Sequence, residues 1–90
     1  MSIKIYLPRN IHNLANWLNV VEVDGNTVGD CLNDLVRQFP VIKNILFGNK
    51  GDLSSALEVF VNRKSAFPDE LLKPVRNGDE IHIKLIIAGG

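Results

Sequence analysis

Ile3, Ile5 and Leu7 alternate with Lys4 and Tyr6, the period of two that marks a strand with one buried and one wet face. Pro8 ends it, since proline has no N–H to give to a ladder. After a polar stretch with Asn10, Asn13 and Asn16, residues 18–23 read as a second strand closed by Asp24-Gly25-Asn26. The two are expected to form a hairpin with a loose connection. Alternation returns at Leu57, Val59 and Val61 against Glu58, Phe60 and Asn62, which predicts a third strand and then a turn at Asn62-Arg63-Lys64. Residues 67–72 suit a short edge strand or a helical turn. Asn77-Gly78-Asp79 is a tight-turn signal, and it leads into a last strand over residues 80–87.

Between these strands the period changes. Val28, Cys31, Leu32, Leu35, Val36 and Phe39 recur at three and four, with Asn33, Asp34, Arg37 and Gln38 on the other face, which predicts an amphipathic helix. Thr27 is placed to cap it, and Asp30, three residues on, suits the positive end of the helix dipole and can reach back. Pro40 closes it. Residues 41–55 read as one helical turn around Val41, Ile42, Ile45, Leu46 and Phe47, then a surface loop at Gly48-Asn49-Lys50-Gly51-Asp52.

This order predicts an α+β domain, a mixed four- to five-stranded sheet packed on one main helix, with the first and last strands parallel at the centre. Ninety residues make a single domain, residues 1–90, too small for a deep substrate cavity as well as a core. If Ile3, Ile5, Leu57, Val59, Val61, Ile81 and Ile83 face the helix, Tyr6, Phe60, His82 and Lys84 project from the open side of the sheet. Exposed aromatics are enriched where proteins dock, so these four are the candidate partner interface.

Composition removes several kinds of function. Ten basic residues balance ten acidic ones, so no basic stripe points to nucleic acid. The apolar runs are far shorter than the ~20 residues that span a bilayer, and the start lacks a signal-peptide pattern, so a cytoplasmic protein is expected. Cys31, the lone cysteine, cannot form an internal disulfide or hold a four-cysteine cluster, and its place on the apolar stripe makes it a core residue. His12 and His82 lack ligand partners at metal spacing, so neither is expected to bind metal. Asp69-Glu70 and Asp79-Glu80 are neighbours whose side chains point apart, poor acid–base pairs. The loop at residues 48–52 lacks the spacing and the Lys-Ser/Thr end of a phosphate-binding loop. No catalytic constellation is visible, so the chain is not expected to be an enzyme by itself.

The remaining candidate is the end of the chain, Ile87, Ala88, Gly89 and Gly90, where an apolar strand runs into two residues without side chains. Glycine is the costliest residue to order and gains nothing from burial, so such an end is expected to be narrow, extensible and of little use to the fold.

Taken together, the strand order, the Thr27-Val28-Gly29 helix start, Phe60-Val61-Asn62 on the third strand, the Gly78-Asp79-Glu80 turn and the Ala88-Gly89-Gly90 end resemble the ubiquitin-like β-grasp sulfur carriers. Within that group the chain is similar to the small subunit of molybdopterin synthase and to the sulfur carriers of cysteine biosynthesis. The thiazole-pathway carriers fit less well, because they lack much of residues 41–55. Ile86-Ile87 also departs from the proline-containing approach to the tail that many relatives show.

The resemblance implies that an E1-like adenylyltransferase uses ATP and magnesium to activate the Gly90 carboxylate. A sulfur donor then makes a thiocarboxylate, which a sulfur-accepting synthase subunit consumes. On this reading the chain binds no cofactor, and Ile87, Ala88, Gly89 and Gly90 thread into the partner's active site. Two other readings stay open: a ubiquitin-like modifier joined through Gly90 to lysines, and a plain β-grasp interaction module.

Overall fold

The computed structural model describes residues 2–86, so the predicted tail, Ile87, Ala88, Gly89 and Gly90, lies outside the described residues. Five strands form one mixed sheet: β1 (Ile3–Tyr6), β2 (Val20–Val23), β3 (Leu57–Val61), β4 (Lys64–Ser65) and β5 (Glu80–Leu85), in the order β2-β1-β5-β3-β4. β1 and β5 run parallel, with Ile5 opposite Ile81 and Tyr6 opposite His82, while the β1–β2, β3–β5 and β3–β4 pairs are antiparallel. β5 is therefore the central strand. The expected α+β arrangement, a mixed sheet packed on one main helix with the first and last strands parallel at its centre, is the observed one.

Helix α1 (Val28–Gln38) crosses one face of the sheet. The Asp30 N–H donates to Thr27 Oγ1 at 3.1 Å, and the Asp30 carboxylate accepts from the Asn26 N–H at 3.2 Å, so the acid does reach back, to the residue before the cap. Val28, Cys31, Leu32 and Leu35 are fully buried against Ile3, Ile5, Val59, Ile81 and Ile83, and each large side chain so removed from water contributes about 1.5–3 kcal/mol. Val36, Phe39 and Val61 pack at the margin of this core. A 3-10 helix (Pro40–Ile42) and the short α2 (Lys43–Leu46) seat Ile42 and Leu46 in it.

Several elements differ from the sequence reading. The connection between the first two strands is not a loose loop but a 3-10 helix (Arg9–Ala15) that buries Ile11 and Ala15. His12 ties it to Leu7, the residue after β1, its Nε2–H donating to the Leu7 carbonyl at 2.9 Å. The second strand begins at Val20 rather than residue 18, because Asn16 and Trp17 take positive φ and Leu18 stays exposed. β4 has only two residues, too few to show an alternation. Residues 67–72 resolve as a helical turn, a 3-10 helix (Glu70–Leu72) packed on α1, and the last strand ends at Leu85.

Candidate functional site: the open sheet face and the exit of the central strand

The face of the sheet away from α1 is arranged by register. Tyr6, His82 and Phe60 lie side by side on β1, β5 and β3, since Tyr6 pairs with His82 and His82 with Phe60. The Tyr6 and His82 rings stack with centroids 4.3 Å apart and planes within 2°. Two residues further along β5, Lys84 holds its Nζ 5.1 Å from the centre of the Phe60 ring, within cation–π range. The four sequence-predicted residues are thus one contiguous group. Tyr6, Phe60 and His82 are half-buried rather than freely exposed, because each ring leans on its cross-strand neighbour.

Phe60, His82 and Lys84 line a pocket of about 330 Å³ together with Arg63. Sequence pattern gives Arg63 only a place in a turn. Its part in the pocket follows from the close return of β4 beside β3, which a two-residue strand does not announce.

The turn before β5 is held by side chains. Asn62 Nδ2 donates to Asp79 Oδ1 at 3.0 Å, and Asn62 Oδ1 accepts from the Glu80 N–H at 3.0 Å. Asp79 Oδ2 accepts from the Arg76 N–H at 2.8 Å. The Asn62 amide, and after it the Arg76 N–H, hold the Asp79 carboxyl below the usual carboxylate range. Gly78 takes φ +92, the conformation that favours glycine at the third position of such a turn. The Phe60-Val61-Asn62 and Gly78-Asp79-Glu80 segments, far apart in the chain, therefore meet as one clamp at the start of the central strand.

At its other end β5 is tied by the Ile86 N–H donating to the Ala56 carbonyl at 2.7 Å. A groove of about 330 Å³ opens there, lined by Leu53, Leu57, Phe67 and Ile86 with Glu58 and Glu70. Phe67 and Ile86 are exposed. Residues 87–90 begin directly after this point.

Cys31 is fully buried, and burial, followed by the charge of Asp30, pushes its thiol up to about 11. It is a core residue, as its position on the stripe predicted. Among the described residues, no group of three or more His, Cys, Asp or Glu side chains could hold a metal ion, and no helix is long and apolar enough to cross a membrane.

No protein-family profile matches the chain. It is similar to small archaeal modifier protein 1 of Haloferax volcanii, with 35% identity over 71 residues, 78% of each protein. The crystal structure of SAMP1 from Haloferax volcanii superposes with a TM-score of 0.86 over 100% of both chains, at 29% identity. A chain of the BexX/CysO complex from Amycolatopsis orientalis superposes with a TM-score of 0.88 at 26% identity, over 98% of this chain and 99% of that one. With this likeness along its whole length, the chain belongs to the ubiquitin-like β-grasp family of sulfur carriers and modifiers.

Proposed function

We propose that the chain is a sulfur carrier whose Gly90 carboxylate is adenylated by an E1-like enzyme and converted to a thiocarboxylate, donating sulfur in molybdopterin or cysteine biosynthesis. The observation that supports this is a sequence that runs on to Ala88-Gly89-Gly90 two residues after the central strand of a β-grasp sheet ends at Leu85. A carboxylate is a poor electrophile. Attack of its oxygen on the α-phosphorus of ATP releases pyrophosphate and leaves AMP as a good leaving group on the carbonyl. A sulfur nucleophile then displaces AMP. ATP and magnesium belong to the activating partner, and this chain supplies the substrate carbonyl, a narrow lead through Ile87, Ala88 and Gly89, and a rigid handle behind them. The reacting atoms must approach to about 3 to 3.5 Å inside another protein, and a Cβ at Gly89 or Gly90 would crowd that path.

Tyr6, Phe60, His82 and Lys84 form the docking face for the activating enzyme and for the sulfur-accepting subunit, working in the cytoplasm. A second reading, conjugation through Gly90 to lysines of other proteins, is favoured by the similarity to a protein called a small archaeal modifier. It uses the same first step.

The test is incubation of the full chain with the E1-like enzyme of its own genome and ATP. Wild-type protein should form the acyl-adenylate. Gly90→Ala and deletion of Gly90 should fold normally and form none, and normal adenylation of either would refute the proposal. Mass spectrometry of protein from native cells separates the two readings. Exchange of one terminal oxygen for sulfur marks the carrier, and Gly-Gly remnants on lysines mark the modifier.

A further inference from the structure

Arg63 occupies a position suited to glycine. β3 and β4 are joined by Asn62 and Arg63 alone, Val61 pairing with Lys64, and both joining residues have positive φ, 49° and 73°. Two-residue turns of this kind favour Asn followed by Gly, because the left-handed conformation brings a Cβ against the backbone. Asn62 suits the first place. Arg63 is strained in the second, and such strain, where it occurs, points to a function for the side chain.

Arg63 lines a pocket with Phe60, His82 and Lys84. Among the described residues neither Arg63 nor Lys84 has an ion-pair partner, and the one polar contact of Lys84 is with the Phe60 ring. Glu58 stands opposite Lys84 in register without pairing to it, and Glu80, the other acid near His82, is turned to the Tyr6 hydroxyl at 3.5 Å. The His82 Nδ1 is buried with no hydrogen-bond partner. A neutral ring therefore does best with its hydrogen on Nε2, where it leaves only a lone pair unsatisfied inside and offers an N–H at the accessible edge. A guanidinium, an ammonium and an imidazole N–H thus surround a half-buried aromatic floor.

We infer that this pocket receives an aspartate or glutamate side chain from the protein that docks on the sheet face. The inference rests on the proposed docking role of that face. Arg63 matches a carboxylate with two parallel N–H donors, and Phe60 shields the contact from water, which strengthens it.

The experiment measures affinity of the full chain for the E1-like enzyme of its own genome by calorimetry, at about 50 and about 300 mM salt, a range over which exposed charges become strongly screened. Arg63→Gly and Lys84→Gln should each weaken binding about tenfold or more and flatten its salt dependence. Lys4→Gln, on the same face but outside the pocket, should bind as wild type. Arg63→Gly should also melt at the same temperature or higher, since glycine relieves the turn, so loss of affinity cannot be put down to unfolding. Phe60→Ala reports on the docking face itself. If it weakens binding while Arg63→Gly and Lys84→Gln do not, the face docks without a carboxylate, and the inference alone is overturned. If none of the three has an effect, or the wild type does not bind, the docking role falls as well. A lowered melting temperature for Arg63→Gly would overturn the strain argument and the inference with it.

Discussion

Replacing Asn62 with alanine should cost far more than an exposed turn residue normally does. The side chain makes two hydrogen bonds of 3.0 Å, donating to the Asp79 carboxylate and accepting from the Glu80 N–H. Intramolecular hydrogen bonds contribute about 0.5–1.5 kcal/mol each, and the exposure of this site argues against the larger values that charged partners can reach. Alanine would also have to adopt φ 49°, which asparagine tolerates better, at roughly 1 kcal/mol. The expected loss is about 2–3 kcal/mol for Asn62→Ala and about 1–2 kcal/mol for Asn62→Gly, which removes the hydrogen bonds without the backbone penalty. For a domain of this size each kcal/mol lowers the melting temperature by about 4–8 °C.

Urea denaturation with an unchanged slope measures the loss. A carbon-13 titration of the Asp79 carboxyl supplies an independent readout, because its depressed pKa has the Asn62 amide as its largest cause. The Asp79 pKa should rise towards the ordinary value in both variants. A loss below about 0.5 kcal/mol for Asn62→Ala, within the range of ordinary surface substitutions, would refute the clamp. Equal losses in the two variants would refute the backbone part of the reasoning, and an unmoved Asp79 titration would refute the electrostatic part.

Gly29→Ala should destabilise the protein even though alanine is the better helix former by up to about 1 kcal/mol, since a Cβ there would meet the Leu71 carbonyl oxygen at 2.9 Å. A gain in urea resistance would show that the turn over α1 yields freely. Cys31 should react with a thiol reagent at pH 8 only as fast as the native state opens, because its thiol is buried and its pKa is pushed up to about 11. Immediate labelling in native buffer would contradict this. Asp34 and Asp79 are both held below the ordinary carboxylate range, Asp34 chiefly by the Asp24 N–H and Asp79 by Asn62. Carboxylates lowered in the folded state stabilise it fully above their unfolded pKa of about 4, and that contribution disappears as pH falls through their folded values. Melting temperature should therefore be insensitive to these two groups from pH 7 to about 5 and fall below about pH 4, less steeply in Asp34→Asn. An unchanged slope in that variant would remove Asp34 from the account.

Much of the architecture was legible because it rests on short-range signals. Alternation at Ile3 and Ile5, at Leu57 and Val59, and at Ile81 and Ile83 marks both the strands and their buried faces, since strand side chains point to opposite sides in turn. The Thr27 cap and the apolar stripe through Cys31 and Leu35 mark the helix in the same local way. The 3-10 helix at Arg9–Ala15 was not legible. Its polar residues read as loop, and only the burial of Ile11 and Ala15 beneath it, together with the bond from His12 to Leu7, gives it a reason to form. β4 escaped because two residues carry no period.

The sequence by itself determined the class of fold, the central pairing of the first and last strands, the open-face identity of Tyr6, Phe60, His82 and Lys84, and the family resemblance of the Gly89-Gly90 end. Periodicity and turn chemistry are properties of neighbours in the chain, and they need no knowledge of what lies across the sheet. Only the tertiary structure decided that Tyr6 stacks on His82, that Asn62 clamps Asp79 and Glu80, and that Arg63 joins Phe60 and Lys84 around one pocket. Those contacts join residues 17 to 76 positions apart or depend on the register between strands. Register is set by the packing of the whole core against α1, and a slip of a single residue would have turned each of these side chains to the opposite face.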